Sequence, residues 1–357
     1  MILKLWAHLL KERKMHMRIK KTIEKVPGGM VVIPLFAAMT LNTLFPNFLK
    51  IGGFSEALFV DGTLALIALF LVCIGAQLKV SRIGRAVKKG TTLLMLKWGA
   101  AIVVTLIAFI FMGESGLFLG LAPIAIIAAM SNSSGGMYLA ISGEFGSEED
   151  LAAYPILALN DGPFLSMVAL SVFGMMGFVG GVFGFTDFLS VLIPILVGAI
   201  LGNLDEDMRD FLSKGSSMII PFFSFAIGMG IDLSAIVEGG LAGIMLGVIT
   251  VFVTGGLAYF VYSKIGWNPI VGASEGSTAG NAIATPAVLA QANSAFAPHV
   301  DIATVQIAAC VVTTLILLPI FITFLAKRLE RKGKLVRGGD PKDLLKNQSM
   351  KGENTHA

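Results

Sequence analysis

Long apolar segments recur along almost the whole chain and constrain its fold more than any other feature. Each is close to the roughly 20 residues that a helix needs to cross the hydrocarbon core of a bilayer. Hydrophobic residues make up 55% of the 357 positions and charged residues 14%, against roughly 25% charged residues in soluble domains. This pattern predicts an all-α polytopic membrane protein with ten transmembrane helices, at about 28–45, 57–79, 91–112, 117–142, 151–175, 187–204, 216–235, 240–263, 268–292 and 301–326.

Lysine and arginine cluster in three polar segments: the first 25 residues, the loop after the second helix and the segment after the tenth. The three clusters share one side of the membrane only if the helix count is even, and the positive-inside rule makes that side cytoplasmic. We therefore expect both termini in the cytoplasm. Residues 1–26 are expected to form an N-terminal extension without a signal-peptide cleavage site, and residues 329–357 a disordered charged tail. The net charge of +4 favours contact with anionic lipid headgroups rather than nucleic acid.

Two short polar segments interrupt apolar helices at matching places in the two halves of the chain. Residues 131–136 read Ser-Asn-Ser-Ser-Gly-Gly, and residues 274–281 read Ser-Glu-Gly-Ser-Thr-Ala-Gly-Asn. Irregular backbone at membrane depth is tolerated only where it is buried in protein or lines a water-filled cavity. Paired breaks of this kind are typical of secondary transporters with a binding site near the bilayer midplane.

Four short motifs recur in the same order in the two halves, which predicts an internal duplication. Because each half holds five helices, the second copy would enter the membrane from the opposite side, giving inverted repeats at 27–178 and 187–328. The alternative is chance, since the matched residue types are common here. The motif pairs are Ile33-Pro34-Leu35 with Ile193-Pro194-Ile195, Ile74-Gly75 with Ile227-Gly228, Ser133-Ser134-x-Gly136 with Ser277-Thr278-x-Gly280, and Asp150-Leu151-Ala152 with Asp301-Ile302-Ala303.

The segment at 25–30 (Lys-Val-Pro-Gly-Gly-Met), the one at 74–78 (Ile-Gly-Ala-Gln-Leu) and both breaks closely resemble those of the bacterial 2-keto-3-deoxygluconate permeases. This resemblance implies proton-coupled uptake of a pectin-derived sugar acid across the inner membrane. More remotely, the layout is similar to the bile-acid/sodium symporter fold. That similarity implies a panel domain of the first, second, sixth and seventh helices, which moves against a core domain holding two crossed, broken helices.

A small hydroxylated anion needs hydrogen-bond donors for its hydroxyls and positive potential for its carboxylate. A broken helix provides both, because the half that restarts presents free N–H groups and the positive end of its dipole. The alternative is that these small residues only allow close helix packing. The expected substrate-binding residues are Asn132, Ser133, Ser134, Gly135, Ser277, Thr278, Asn281 and Gln77.

Ion coupling requires a group whose protonation or occupancy changes, and acidic residues at membrane depth are costly and usually functional. Glu275 at the second break is the first candidate, followed by Asp161 with its neighbour Asn160. The alternative for each carboxylate is a fixed hydrogen bond between helices. If sodium drives transport instead, as in a sodium-coupled organic-anion symporter, Glu275 and Asn132 would be its ligands.

The sequence favours a transporter over an enzyme. No His-Glu-x-x-His motif occurs, and no His/Cys/Glu cluster has metal-ligand spacing, so no cofactor and no resident metal are expected. Lys97 in the third helix could attract a substrate carboxylate, but the favoured interpretation is that it extends toward the cytoplasmic headgroups. The sequence leaves the oligomeric state open.

Overall fold

The computed structural model describes residues 18–23, 25, 29–78, 84–113, 116–160, 162–179 and 183–341. These residues form helices and no regular strand, with one isolated bridge between Phe118 and Leu121. The helices are α1 Ile19–Ile23, α2 Gly29–Leu44, α3 Gly53–Phe59, α4 Thr63–Gly75, α5 Arg85–Phe111, α6 Pro123–Ser131, α7 Gly135–Phe145, α8 Glu148–Ala152, α9 Tyr154–Leu157, α10 Phe164–Met175, α11 Phe185–Leu204, α12 Glu206–Gly228, α13 Ser234–Thr250, α14 Gly256–Ile265, α15 Pro269–Ala273, α16 Thr285–Ala292 and α17 Val300–Arg331.

The all-helical membrane architecture expected from the apolar segments is confirmed for the described residues. Six of their helical stretches are long and apolar enough to cross a bilayer, and the number rises to eight if two bent helix pairs are each counted as one span. These pairs, α3 with α4 and the stretch from α8 through α10, bend by 60° and 51°. The remaining predicted spans correspond to the 16-residue apolar helix α2 and to the short helices α15 and α16.

Four helices pack extensively against one another: α2, α4, α11 and α12. Glycine allows two of these contacts, because a Cβ atom on Gly75 would collide with the carbonyl oxygen of Ile195, and one on Gly228 with that of Leu35. Small residues at such positions let helix backbones approach closely in membranes. This set of helices is called the four-helix group below.

The other large helices surround the two broken segments. Helix α5 packs on α6, α13 on α17, and α14 on α15. Between α13 and α14 the chain makes a π-helical turn, Val251–Gly255. A Cβ atom on Gly255 would lie 2.9 Å from the carbonyl oxygen of Ala273, so glycine lets this turn rest directly against the second break.

The segment after α17 differs from the disordered tail expected for residues 329–357. Residues 332–341 fold back onto the helices, and the Asp340 side chain is buried. Its carboxylate oxygens lie 3.0 and 3.1 Å from the Lys89 ammonium, which also contacts the Asp150 carboxylate at 2.8 Å, and one of them accepts from the Asn268 backbone N–H. A buried cation requires such partners, and this one holds the segment in place. Residues 1–17 and 342–357 lie outside the described residues.

Candidate functional site

The first break separates α6 from α7. Helix α6 ends at Ser131, Asn132 to Ser134 are extended, and α7 restarts at Gly135. The Asn132 side chain ends α6 by donating from Nδ2 to the Ala128 carbonyl oxygen at 2.8 Å, which replaces the backbone N–H that a continued helix would supply. The break is therefore a consequence of the local sequence.

The second break follows the same logic over a longer stretch. Helix α15 passes into a 3₁₀ turn at Ser274–Gly276, the chain is extended around Ser277, and a second 3₁₀ turn, Gly280–Ala284, leads into α16. The Ser274 hydroxyl donates to the Val271 carbonyl at 2.6 Å, and the Ser277 hydroxyl to the Ser274 carbonyl at 3.1 Å. Serine side chains thus satisfy carbonyl groups that the interrupted helix leaves free.

The two extended segments cross and hydrogen-bond to each other. The Ser134 N–H donates to Ser277 Oγ at 3.0 Å, and the Thr278 hydroxyl donates to the Ala129 carbonyl at 3.0 Å. The Ala279 N–H also donates to the Asn132 carbonyl at 3.4 Å. Each break therefore satisfies polar groups of the other, as irregular backbone inside a membrane requires.

Glu275 is fully buried at this crossing and is joined to the first break through Ser133. The Ser133 hydroxyl donates to Glu275 Oε2 at 2.5 Å, and Asn160 Nδ2 donates to the same hydroxyl oxygen at 2.9 Å. The second carboxylate oxygen, Oε1, is buried without a hydrogen-bond partner among the described residues. The structure thus brings Glu275, Ser133 and Asn160 into one continuous hydrogen-bonded chain.

Lys97 overturns the expectation that its side chain reaches the headgroups. It is fully buried near the middle of α5, and its ammonium donates to the carbonyl oxygens of Glu275 and Ser277 at 2.6 and 2.5 Å. The reason is the direction of the side chain: it points from α5 into the second break, where carbonyls that have left the helical hydrogen-bond pattern accept from it. The Thr254 hydroxyl donates to the same Glu275 carbonyl oxygen at 2.7 Å.

Asn132 is also fully buried, and both polar atoms of its side chain form hydrogen bonds within the protein. Besides the bond to Ala128, its Oδ1 accepts from the Gly162 N–H at 3.0 Å. The predicted coupling residue Asp161, next to Gly162 in the chain, lies outside the described residues.

A cavity of about 380 Å³ opens at the crossing, within the usual range of roughly 300–1,000 Å³ for small-molecule sites. Four predicted site residues line one wall: Ser134, Gly135, Thr278 and Asn281; Gln77 lines the wall formed by the four-helix group. The other cavity residues are Gly29, Met30, Val31, Phe70, Ile74, Gly136, Tyr154, Ser216, Ile220, Ala279, Gly280, Val311 and Leu315. The remaining described candidates, Asn132, Ser133, Ser277, Glu275 and Asn160, are buried away from the cavity lining.

The polar groups facing the cavity suit an anion with hydroxyl groups. The first turn of α7, at Gly135 and Gly136, presents the positive end of that helix. Asn281 also lines the cavity, and its buried amide nitrogen Nδ2 makes no hydrogen bond within the described part of the chain. The cavity thus combines positive potential with neutral donors and acceptors.

Tyr154, which the sequence analysis did not single out, shapes this cavity. Its hydroxyl lies 3.4 Å from Gln77 Oε1, and a Cβ atom on Gly135 would lie 2.5 Å from its ring. Glycine at 135 is therefore what allows the Tyr154 ring to lie against the start of α7. A tyrosine in an apolar span with no polar neighbour gives little signal in the sequence.

Comparison with known proteins decides the family. A family profile described as 2-keto-3-deoxygluconate permease matches residues 20–331. The chain belongs to this permease family. A 2-keto-3-deoxygluconate permease 1 of Salmonella typhimurium is 47% identical over 319 residues, which cover 89% of this chain and 99% of the relative. A 2-keto-3-deoxygluconate permease of Bacillus subtilis is 39% identical over 88% of this chain and 96% of the relative, and one of Escherichia coli 36% over 88% and 97%.

Membership of the permease family makes this chain a multi-pass membrane transporter and not an enzyme. The crossing and its cavity are then the candidate place of substrate binding in a permease. Sequence reasoning missed Thr254 and Tyr154 and misplaced Lys97. All three contacts join parts of the chain that are distant in sequence.

Proposed function

We propose that this permease imports 2-keto-3-deoxygluconate, a small sugar-acid anion, together with protons across the bacterial inner membrane. The observation that carries the proposal is the cavity at the crossing, which is lined by the positive end of α7 and by Asn281. The names of the relatives, which cover nearly the same length of chain, supply the substrate. Ser134, Gly135, Thr278, Asn281 and Gln77 would contact it directly.

The binding roles of Asn132, Ser133 and Ser277 are then indirect. The Ser277 hydroxyl accepts from the Ser134 N–H, and Asn132 Oδ1 accepts from the Gly162 N–H. The Ser133 hydroxyl donates to the Glu275 carboxylate. These residues would fix the shape of the crossing while their neighbours contact the substrate.

Transport would proceed by alternating access of two bodies. The four-helix group would act as the panel and the remaining large helices as the core, since α2, α4 and α12 form one wall of the cavity and the two breaks with α17 form the other. A substrate bound between two such walls changes its exposure when they move relative to each other. Both termini would lie in the cytoplasm.

The bodies would derive from ten spans in two inverted repeats. One pair of contacts supports this: Gly75 approaches the Ile195 backbone, and Gly228 approaches the Leu35 backbone. Gly75 and Gly228 are matched positions of the proposed repeats, as are Leu35 and Ile195. Exchanging the two repeats therefore converts one contact into the other.

Glu275 would carry the coupling proton, with Asn160 joined to it through Ser133; Asp161 is the second candidate. Its Oε1 makes no hydrogen bond to any described residue, so this oxygen is free to take up a proton, while Oε2 stays bonded to Ser133. Asn160 supports that bond by donating to the Ser133 hydroxyl.

The test is uptake of labelled 2-keto-3-deoxygluconate into proteoliposomes under an imposed pH gradient, with and without sodium. We expect wild-type uptake to follow the proton gradient, and Glu275→Gln, which keeps the side-chain shape but cannot titrate, to lose gradient-driven uptake. Glu238→Gln, at an exposed glutamate, is the matched control. Uptake that follows a sodium gradient instead of a proton gradient would favour the sodium-coupled alternative. If Glu275→Gln keeps gradient-driven uptake at the wild-type level, Glu275 does not take part in coupling.

A further inference from the structure

The buried ammonium of Lys97 has surroundings that are unusual for a lysine in a membrane helix. Two of its three N–H groups are held by main-chain carbonyl oxygens of residues 275 and 277, and the whole side chain is inaccessible to solvent. Both carbonyls belong to the place where the half-helix that begins at Pro269 ends. A lysine there contributes a fixed positive charge at the negative end of a half-helix dipole.

This place is where a carrier with broken helices binds a coupling cation. Unwound carbonyls and half-helix C-terminal ends coordinate sodium ions in such folds. The lysine ammonium is a compact point charge with three donors, so it is the side chain that most resembles a small cation. A sodium ion bound to the same two oxygens would lie next to the ammonium, and two unit positive charges at that separation in a buried site repel strongly.

We propose that the Lys97 ammonium is a resident cation of the crossing, which holds the second break in its binding geometry and makes transport independent of sodium. The inference rests on the proposed function and deepens it, because it assigns the sodium position to a side chain and leaves Glu275 as the group that exchanges with protons. Lys97 is a positioning residue: it does not line the cavity and acts on the substrate through the backbone of residues 275–277.

The decisive comparison is between two variants that remove the same charge. Lys97→Ala leaves a space beside the carbonyl oxygens, whereas Lys97→Met fills it with an apolar chain. In sodium-free buffer both should lose at least about tenfold in uptake, because the carbonyl oxygens of Glu275 and Ser277 lose their charged donor, although the Thr254 hydroxyl still donates to the first. Adding sodium or methylammonium should restore uptake by Lys97→Ala and leave Lys97→Met inactive, while wild type responds to neither ion.

A second readout does not depend on the substrate. The melting temperature of the purified full-length protein in detergent should rise with sodium or methylammonium for Lys97→Ala, and stay constant for wild type and Lys97→Met. Thr254→Val removes the other group near the Glu275 carbonyl but keeps the ammonium, so its melting temperature should be as insensitive to sodium as that of wild type.

The outcomes separate this inference from the proposed function. If wild type shows no uptake but sodium stabilises the Lys97→Ala variant, the substrate assignment is contradicted and the resident cation is supported. A wild-type protein whose uptake or melting temperature depends on sodium would overturn the resident cation even if no variant folds. So would a Lys97→Ala variant that transports like wild type without sodium, or one that neither cation restores.

Discussion

Two fully buried lysines on the same helix, α5, lie in very different surroundings. Lys89 contacts two carboxylates, Asp150 and Asp340, and the set of these three residues is called the ion cluster here. Lys97, two turns further along, is held by main-chain carbonyls at the crossing. Carboxylates pair the Lys89 ammonium with opposite charges, whereas two main-chain carbonyls orient the Lys97 ammonium at the second break. We therefore expect the ion cluster to serve stability and the crossing to serve transport.

The largest expected effect is on the ion cluster. Lys89→Met should lower the free energy of unfolding by about 3–5 kcal/mol, because it leaves two carboxylates buried without their cation. Denaturation of the purified protein in detergent measures this loss. Lys88→Met is the matched control, since the adjacent Lys88 is exposed, and its effect should stay within about 0.5 kcal/mol. Equal stability of the two variants would contradict the assigned role of the cluster.

A smaller effect is expected from Asp340→Asn, which keeps the side-chain shape and leaves Lys89 paired with Asp150. Loss of a hydrogen bond to a charged group should lower stability by about 1.5–3 kcal/mol. Amide hydrogen exchange in residues 332–341 should become faster, while uptake per folded molecule stays that of wild type. Exposed Glu330→Gln serves as the control. If uptake per folded molecule falls, the ion cluster takes part in transport and the comparison fails.

The smallest stability effect is expected at the crossing, and there it should appear in transport. The added methyl group of Gly135→Ala meets the Tyr154 ring, so the cavity wall must shift, and KM for the sugar acid should rise about tenfold. On the same helix but outside the cavity lining, exposed Gly143→Ala has no atom within 4 Å of its new methyl group and should keep the wild-type KM. Equal KM values would mean that the Tyr154 contact does not shape the binding site.

Much of the fold follows from local sequence. The apolar segments predict the membrane helices, because their composition alone excludes a water-soluble fold. Both breaks were recognisable, since Asn132 and Ser274 end their helices through side-chain bonds to carbonyls three or four residues earlier. Such contacts depend only on neighbouring residues, so the sequence contains the whole signal.

The direction of individual side chains could not be predicted. Whether Lys97 extends to the headgroups or into the protein depends on which face of α5 meets the second break. Its two carbonyl partners lie 178 and 180 positions later in the sequence. The polar segment around Asp340 has the composition of a disordered tail, and its distant partners Lys89 and Asn268 explain its burial. Within the breaks, alternate residues of an extended chain face opposite sides. Thr278 therefore lines the cavity while Ser277 is buried away from its lining, a distinction that composition does not make.

The position of Asp340 has a consequence for the order in which the protein is made. Asp340 is translated 251 residues after Lys89, and at ordinary rates of synthesis this interval lasts roughly 10–50 s. The cation on α5 therefore enters the membrane long before one of its two counter-charges exists. The ion cluster can form only after all the intervening residues have been synthesised, so it forms late. A chain released before residue 340 would carry α1 to α17 and still lack this contact.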